Sequence, residues 1–599
     1  MKKIVHSATK LVSLCMAALL MTTPVYARAY NDKKQILNTG FVLDTDRELL
    51  IANPSKDIST TASEYYITGA SDPSASLTCN GAVVEDRGVY GTFGVYVSLQ
   101  DGKNTFTFQN AGRTESVTIT KTTKSSGGGI YTIDDLRRIG PKSNDVVKSG
   151  ETFRIRCTAP ANGKVTATLN DETIELKQEA IASTGVEAYY SAEIDLPTLP
   201  SGQWEDLGPI TYRLKYNGKT DSAVSAGHVF LLGKGASIFA RVNQNAAVLY
   251  EKGQTDANQV SIISRGAVDS IVDSTDTHYK LKMGNWILKD YVDIVANKKP
   301  KPNHVADMSY SKKNGGEELV LHGTTSPAFK AYNTSEKIVV KFYNIKAEDR
   351  IKIHSSLFSS VEMEQTGSHL QMEFIKKPGS NTIGYDVSYD NKGNTKLFFN
   401  VKPGYGSDEK PLENMTIVVD PGHGGLDSGA VGVLYGKGPM EKDITMAQAL
   451  VLKNRLESLG AKVILTVKPN QPKDQKVEMT DRIEVTRKTK ADLYLSLHCN
   501  SISATANGLK PSGTEIYYYE SNSKALADKV LTNITSYNGR KNRGVKHSNY
   551  YVTRNPLCPS MLIELGFMSN PVEYDEMCSP DALYDTANAI ADAVIDYLD

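Results

Sequence analysis

The pattern of hydrophobic and polar residues changes once along the chain, close to residue 410. Before that point, short runs rich in β-branched and aromatic residues, such as residues 94–99 and 105–108, alternate with Gly, Asn, Asp and Ser turns. This texture is typical of all-β domains. After residue 415, strand-like apolar runs alternate with helix-like runs, which indicates an α/β domain. The sequence therefore predicts a multidomain chain, all-β at its N-terminal side and a three-layer α/β domain at its C-terminal end.

Turn-rich and linker-like stretches divide the all-β part into four predicted domains. A run of Ser and Gly near residue 125 and a Lys-Pro run near residue 298 read as linkers. The predicted order is an immunoglobulin-like β-sandwich at 28–124, a linker at 125–144, a β-sandwich at 145–232, a barrel at 233–298 that resembles the bacterial Src-homology-3-like module, and a β-sandwich at 303–410.

Residues 1–27 predict a secretory signal peptide. Lysines precede an apolar stretch at residues 11–21, which is too short to span a bilayer, and small residues suited to cleavage follow. Cys15 follows Leu14 rather than a small residue, so we do not expect a lipid anchor. No other stretch approaches 18 apolar residues, so we expect no transmembrane anchor. The predicted location is secreted, extracellular or cell-wall associated.

Composition narrows the classes of protein and partner. The 599 residues suggest about four domains, and 40% hydrophobic residues argue against a largely disordered chain. Lys+Arg and Asp+Glu both number 68, so the chain lacks the basic footprint of a nucleic-acid-binding protein. Five of the 6 cysteines follow residue 27 without any C-x-x-C pair, which favours neither a disulfide scaffold nor a cysteine-type zinc site.

The segment from 415 to 599 has a regular α/β pattern. Its first run, residues 416–420, is apolar almost throughout, as in a strand buried on both faces. Further strands are predicted at 463–465, 493–498, 514–519, 551–553 and 561–564, and helices at about 442–459, 481–490, 521–537 and 580–598.

Chemically competent side chains follow several of these predicted strands. His423 comes just after the first strand, His498 ends the third and Glu564 ends an apolar strand, while Glu441 begins a helix. Ligands of open α/β sheets gather at the carboxyl ends of strands. Two His and one Glu form a known ligand set of catalytic zinc, with a further carboxylate left to accept a proton. The residues are far apart in sequence, however, so spacing alone leaves a structural role open.

Four motifs in this segment carry a resemblance to a known family. They are Asp-Pro-Gly-His-Gly-Gly at 420–425 with Asp427, Glu-Lys-Asp at 441–443, Ser-Leu-His-Cys-Asn-Ser at 496–501 and Glu-Leu-Gly-Phe-Met-Ser-Asn at 564–570. In this order they resemble the zinc-dependent N-acetylmuramoyl-L-alanine amidase family, over the whole of residues 415–599. The sandwich at 303–410 resembles the wall-targeting β domains that precede such amidases.

The resemblance implies a site and a reaction. One Zn²⁺ would be held by His423, Glu441 and His498, and Glu564 would be the catalytic general base. The substrate would be peptidoglycan, cleaved at the amide between N-acetylmuramic acid and L-alanine. The β domains would then offer contacts to other cell-wall polymers. An inhibitory helix, which some members insert between the second His and the catalytic Glu, is not expected here.

Several residues near these motifs keep two interpretations. Asn500 and Arg554 either orient the substrate or are turn and surface residues. Cys499 departs from the small residue common in the family, and we favour a buried apolar role over a soft metal ligand. The basic run at 540–547 is either a solvated face or a contact for wall carboxylates.

Two other functions compete with the amidase prediction. A zinc carboxypeptidase-like peptidase would use the same His, Glu and His set, but it would also need an Arg fork for a terminal carboxylate, which we cannot identify. A non-catalytic surface binding protein would have no need of His423, Glu441, His498 and Glu564 together.

Overall fold

The computed structural model describes Leu43 and residues 46–122, 132–295, 303–348 and 350–598. The predicted signal peptide, the first part of the linker at 125–144 and the Lys-Pro run near 298 lie outside the described residues. The chain forms two compact units. The terminal unit combines Met1–Lys124 with Lys402–Asp599, and the central unit is Ser125–Val401.

The N-terminal part of the terminal unit, which we call the N-terminal sandwich, is a pair of sheets. A three-stranded sheet β1-β3-β6 faces a five-stranded sheet β2-β8-β7-β4-β5 across a core in which the Phe93 and Phe108 rings lie 5.0 Å apart. Its strands are β1 (Leu50–Asn53), β2 (Ile58–Thr60), β3 (Glu64–Ala70), β4 (Thr78–Cys79), β5 (Ala82–Val83), β6 (Thr92–Ser98), β7 (Gly102–Asn110) and β8 (Arg113–Lys121).

The central unit begins with a seven-stranded arrangement, ordered β10-β13-β12-β11-β14-β15-β9. Residues before it are attached to it, because Thr132 bridges Val186 and Leu136 is buried in its core. Its strands are β9 (Asp145–Lys148), β10 (Thr152–Pro160), β11 (Lys164–Leu169), β12 (Glu172–Gln178), β13 (Glu187–Asp195), β14 (Trp204–Tyr216) and β15 (Lys219–Leu232).

A second seven-stranded sheet, ordered β18-β17-β21-β20-β19-β16-β22, follows in the central unit. A 3₁₀ turn at Lys289–Tyr291 leads into its last strand. Its strands are β16 (Ile238–Val242), β17 (Ala247–Tyr250), β18 (Gln259–Ile263), β19 (Val268–Ser274), β20 (His278–Leu281), β21 (Trp286–Leu288) and β22 (Val292–Val295).

The last part of the central unit packs two four-stranded sheets, β24-β25-β32-β31 and β26-β27-β30-β29, with β23 paired to β28. The rings of Phe358, Phe374 and Phe399 interlock between the sheets, 4.6–5.4 Å apart. Its strands are β23 (Asn303–Val305), β24 (Asp307–Lys313), β25 (Gly316–His322), β26 (Phe329–Asn333), β27 (Lys337–Tyr343), β28 (Ile345–Ala347), β29 (Phe358–Thr366), β30 (His369–Lys376), β31 (Thr382–Tyr389) and β32 (Thr395–Val401).

The all-β character of the described residues before residue 410 is thus confirmed, while the immunoglobulin-like and Src-homology-3-like assignments stay predictions. The chain has five free cysteines among its described residues. Within the same residues, no helix combines the length and the apolar character needed to cross a membrane.

The C-terminal α/β domain is built on a six-stranded sheet, ordered β34-β33-β35-β38-β36-β37, in which β33, β34, β35 and β38 run parallel and β36 runs antiparallel to β38. Its elements are β33 (Thr416–Pro421), α1 (Glu441–Ser458), β34 (Lys462–Leu465), α2 (Met479–Thr489), β35 (Leu493–Asn500), β36 (Thr514–Tyr518), α3 (Lys524–Asn538), β37 (Asn542–His547), β38 (Ser560–Phe567), α4 (Pro571–Cys578) and α5 (Pro580–Leu598). Single 3₁₀ turns lie at Ser521–Ser523 and Tyr551–Thr553.

Helices cover both faces of this sheet, as the three-layer prediction requires. On one face, α5 packs against α1 and α3 over residues such as Leu495, Leu497 and Ile563. Because strand side chains alternate between faces, Asp420 and Ser496 point to the other face, where α2 packs against β33. The carboxyl ends of β33, β35 and β38 meet at one edge, which we call the carboxyl edge.

Three local predictions were wrong or incomplete. The predicted strand at 551–553 is a 3₁₀ turn. The basic run, which we expected to be a solvated face or a contact for wall carboxylates and to which no strand was assigned, contributes the edge strand β37, where charged side chains are compatible with pairing along one side only. Helix α4 was not predicted, although its signals are present: the Asn570 side chain accepts hydrogen bonds from the N–H groups of Val572 and Glu573, and Pro571 begins the helix.

Candidate active site

His423 lies in the loop that leaves β33, in a backbone conformation unusual for a residue with a side chain (φ 65°). A buried ion pair fixes this loop. Asp420 accepts a hydrogen bond from Arg482 Nη1 at 2.6 Å, and the same guanidinium donates to the carbonyls of Pro421 at 2.7 Å and His423 at 2.5 Å. Burial favours the neutral form of Asp420, but Arg482 outweighs it and lowers the pKa of this carboxyl. Helix α2, which carries Arg482, therefore fixes the position of this loop.

Glu441 joins the two histidines into one cluster. It is the first residue of α1, and its Oε1 lies 3.1 Å from Nε2 of His423 and 3.1 Å from Nδ1 of His498. One donor atom from each of the three residues falls within 4.8 Å of the others. These three residues are far apart in the sequence, but their side chains converge at the carboxyl edge.

Backbone and side-chain contacts hold the cluster in place from behind. The N–H groups of Cys499 and Ala430 donate to Oε1 and Oε2 of Glu441, at 3.0 and 2.9 Å. Asp427 Oδ2 lies 2.9 Å from His423 Nδ1, which leaves Nε2 directed to Glu441. A partner on the second ring nitrogen is the usual support of a metal-binding histidine.

The ionisable groups of the cluster shift each other's pKa values. Burial lowers the pKa of His423, but Glu441 and Asp427 outweigh it and raise that pKa to about 9. Burial also favours neutral Glu441, yet its contacts with His423 and His498 hold its pKa well below the ordinary value. Positive charge on the facing groups therefore stabilises the buried carboxylate of Glu441, and a metal cation would supply such a charge.

Glycine is required where the loop passes the cluster. A Cβ atom on Gly429 would lie 2.6 Å from both Glu441 Oε2 and His423 Cδ2, and its φ of +62° is disfavoured for other residues. A Cβ atom on Gly422 would lie 2.6 Å from the His498 ring. These two glycines therefore allow the backbone to pass close to the cluster.

Glu564 shares one row of the sheet with His498. The two residues are register partners on β35 and β38, and Glu515 on β36 is the next partner in the row. Oε2 of Glu564 is buried and has no hydrogen-bond partner among the described residues. Burial, together with the charges of Glu441 and Glu515, raises its pKa to about 7, against the opposing effect of the histidines. Such a carboxyl group can exchange a proton near neutrality.

Asn500 belongs to a polar network behind this row. Its Nδ2 donates to Glu515 Oε1 at 2.8 Å, and the hydroxyl of Tyr517 donates to the same oxygen at 2.6 Å. Arg543 and Lys546 of the basic run bind Glu515 Oε2, at 2.8 and 2.5 Å. Part of the basic run is thus paired with the buried Glu515 carboxylate beside Glu564, while its own side chains stay partly exposed.

Arg554 and Cys499 contribute in different ways. Arg554 is buried at the end of the 3₁₀ turn, where its guanidinium lies over the Tyr551 ring and donates to the Asn549 carbonyl at 3.4 Å. The Cys499 side chain lies in the hydrophobic core of the domain, and burial raises the pKa of its thiol far above the ordinary value. The predicted burial of the Cys499 side chain among apolar residues is confirmed, and its backbone N–H donates to Glu441.

The family model described as N-acetylmuramoyl-L-alanine amidase matches residues 417–596. The uncharacterized protein YqiI of Bacillus subtilis (strain 168) is 35% identical over 194 residues, which cover 32% of this chain and 88% of YqiI. The chain belongs to the N-acetylmuramoyl-L-alanine amidase family. The amidase domain is 37% identical over 192 residues to the probable cell wall amidase LytH of Staphylococcus aureus, and the match spans 60% of the length of LytH.

Among solved structures, the catalytic domain of the amidase CwlV from Bacillus (Paenibacillus) polymyxa var. colistinus is 32% identical. That comparison covers 31% of this chain and 98% of CwlV's, with a TM-score of 0.28.

The segment between His498 and Glu564 of this amidase contains one α-helix in the described residues, α3. Its apolar residues, among them Leu526, Val530 and Ile534, belong to the core of the domain, and Asn533 donates to the Ala589 carbonyl of α5.

Sequence reasoning missed two residues of the amidase site. Arg482 gave no signal, since a charged residue in a helix pattern reads as exposed, yet its side chain is 4% exposed. Glu515 gave a weak signal: it is a charge in an otherwise apolar strand, the same argument that identified Glu564. Asp427 belongs to the first sequence motif, but its sequence position alone predicts no role; the structure shows its contact with His423.

Proposed function

We propose that this chain hydrolyses the amide bond between N-acetylmuramic acid and L-alanine in peptidoglycan, using one zinc ion held by His423, Glu441 and His498 and Glu564 as the general base. The observation that carries the proposal is the buried, unpartnered Oε2 of Glu564 in the same sheet row as His498. An unsatisfied buried carboxylate is costly, so it is retained where chemistry uses it.

The three residues fit a catalytic zinc site. Two His and one Glu are a known donor set that leaves a coordination position for water. Their donor atoms already lie together, and Asp427 and the Cys499 N–H orient them. When bound, zinc would act as a Lewis acid that lowers the pKa of water and polarises the scissile carbonyl.

The chain's own groups would move the proton. Glu564 accepts a proton from the attacking water and then donates it to the leaving amide nitrogen, so that the C–N bond breaks to give a carboxylate and a free alanine amine. The pKa of about 7 suits a group that must take up and release a proton in one cycle. Asn500 and Arg554 are proposed to shape the substrate side, Asn500 through its bond to Glu515.

The remaining parts of the proposal concern where the enzyme acts. A secreted chain with four β domains ahead of the catalytic domain suits an enzyme that works in the cell wall. The immunoglobulin-like, Src-homology-3-like and wall-targeting assignments belong to this proposal, as do contacts of the β domains with other wall polymers.

Product analysis tests the reaction. The full-length protein is incubated with purified peptidoglycan, with and without a chelator, and new alanine amino groups and new reducing sugar ends are counted. We expect chelator-sensitive alanine amino groups and no reducing ends. New amino groups on other residues would mean a peptidase, and no product from a folded, zinc-loaded protein would mean a binding protein.

A further inference from the structure

The N-terminal sandwich contacts the amidase domain at three loops of the carboxyl edge. The Thr68 hydroxyl donates to the Val433 carbonyl at 2.6 Å, in the loop between His423 and α1. The Tyr66 hydroxyl donates to the Ser569 carbonyl at 3.1 Å, just after β38. Asn53 Nδ2 reaches the Ala504 carbonyl at 3.5 Å, just after β35. Each loop follows a strand that leads to a candidate site residue.

The same sandwich also holds the start of α4. Asp575 Oδ2 accepts hydrogen bonds from the N–H groups of Tyr90 and Thr92, at 2.8 and 3.2 Å, and the Thr92 hydroxyl donates to the Pro571 carbonyl at 2.9 Å. Asp575 and Thr92 are fully buried. These bonds therefore lie in a desolvated interface, where removing one partner leaves a buried polar group unsatisfied.

Close packing accompanies the hydrogen bonds. Ala52 and Ala70 of the sandwich belong to the hydrophobic core of the amidase domain. A Cβ atom on Gly88 would lie 2.2 Å from Asp575 Oδ2 and 2.5 Å from the Pro571 carbonyl oxygen, and one on Gly508 would lie 2.4 Å from the Tyr66 ring. Small residues thus bring the two surfaces together without intervening space.

We infer that the N-terminal sandwich is a positioning domain of the amidase site, which holds the loops after β33, β35 and β38 in the arrangement that the site needs. The inference rests on the proposed function. The contacts at Val433, Ser569 and Ala504 are made to backbone carbonyls, so they fix the path of each loop rather than one side chain. Since the first loop carries His423 and leads to Glu441, its path decides where two of the three donor groups stand.

A wedge at the interface tests the inference in the full-length protein. Gly88→Leu pushes a side chain from the sandwich against Asp575 and Pro571 of α4, neither of which is a candidate site residue. Gly404→Leu is the matched control, because a Cβ atom there meets nothing within 4 Å. Amide hydrogen exchange, zinc affinity and kcat on peptidoglycan fragments at saturating zinc are measured for both.

We expect faster exchange in the loops at 431–436, 501–508 and 568–571 of Gly88→Leu, a zinc affinity about tenfold weaker and a kcat at least about fivefold lower, equivalent to about 1 kcal/mol. The control should match the wild type in all three. Unchanged loop exchange, or faster exchange with unchanged zinc affinity and kcat, would overturn the inference.

A second set of variants guards against misfolding of the wedge variant. Thr68→Val removes the hydroxyl that binds Val433, and Thr68→Ser keeps it. Thr107→Val is the control. It removes an exposed hydroxyl that pairs with Ser116, and both residues lie in the five-stranded sheet rather than in the sheet of Thr68. Loss of zinc affinity in Thr68→Val with rescue in Thr68→Ser supports positioning, whereas equal effects in Thr68→Val and Thr107→Val contradict it. If the wild type cleaves no peptidoglycan, the proposed function fails, and exchange and zinc affinity still decide this inference.

Discussion

At the scale of single residues, Glu564 is the sharpest test of the chemistry. Glu564→Gln keeps the size of the side chain but removes the proton acceptor, so we expect kcat to fall by about 10²–10⁴ with unchanged zinc content. Kinetics on peptidoglycan fragments and metal analysis measure the two effects. Glu576→Gln, at a carboxylate that pairs with Arg540, is the matched control and should retain activity.

The raised pKa of Glu564 also makes a prediction for the metal-free protein. Its pKa is about 7 when folded, above the ordinary value of 4.5, so the folded state binds the extra proton between these values. Stability is then greatest below pH 4.5 at this site and falls as pH rises through 7, by about 1–3 kcal/mol, allowing for its partial exposure. Denaturant unfolding from pH 5 to 8 should show this decline in the wild type, and a decline of equal size in Glu564→Gln would contradict it.

Asp427 gives a prediction that concerns the metal rather than the proton. Asp427→Ala removes the partner of His423 Nδ1, so the ring loses its fixed orientation and we expect zinc affinity to fall about 10–100-fold. Competition with a chromogenic chelator measures this directly. Ser428→Ala, at a neighbouring position whose hydroxyl contacts only backbone among its described bonds, should leave the affinity unchanged.

The residue scale is also where sequence reasoning was strongest and where it failed most clearly. The sequence predicts one site for His423, Glu441 and His498, because the histidines follow predicted strands and Glu441 begins a helix. The topology of a parallel sheet brings the ends of its strands to the same edge. The Asp420–Arg482 pair was not predicted, because two charges 62 positions apart show no periodic relation and only the folded loop explains their burial.

At the scale of elements, the link between β33 and α2 determines whether the His423 loop is held. Asp420→Asn leaves the Arg482 guanidinium buried without its counter-charge, and we expect a loss of about 3–5 kcal/mol in the free energy of unfolding of the amidase domain. Chemical denaturation measures it. A loss within about 0.5 kcal/mol, the range of ordinary surface substitutions, would show that the pair does not support the loop.

Elements were predicted best where their pattern was long and buried. The strands β33, β35 and β38 and the helices α1 and α5 carry continuous or periodic apolar residues, and their bounds differ little from the prediction. The strand predicted at 551–553 is wrong because three β-branched or aromatic residues suit a strand equally well. The 3₁₀ turn buries Val552 and Thr553, and the Thr553 hydroxyl donates to the Tyr550 carbonyl at 2.9 Å.

At the scale of the whole molecule, metal removal should separate chemistry from folding. Asp427 and the N–H groups of Cys499 and Ala430 hold the cluster through contacts within the protein, so we expect a chelator to abolish activity while the amidase domain stays folded. Zinc should restore activity. Circular dichroism and activity, followed through one cycle of removal and return, check this, and unfolding on chelation would contradict it.

The association of the N-terminal sandwich with the amidase domain was beyond prediction from sequence. Its contacts join residues more than 350 positions apart, such as Thr68 with Val433, and the residues that make them are ordinary small and hydroxylated ones. The same residue types occur on exposed sheet surfaces, so only the assembled structure distinguishes these contact residues from exposed ones.

The division of the terminal unit between the two ends of the chain has a consequence for its biosynthesis. The ribosome completes the N-terminal sandwich first, then makes the whole of Ser125–Val401, and only afterwards the segment that covers the sandwich. Until then Ala52, Ala70 and Thr68, buried in the finished protein, face solvent or a chaperone. A nascent chain that has not yet passed Lys402 therefore carries the sandwich without its catalytic partner, and the candidate site residues, which all follow Lys402, can join it only after the central unit has been made.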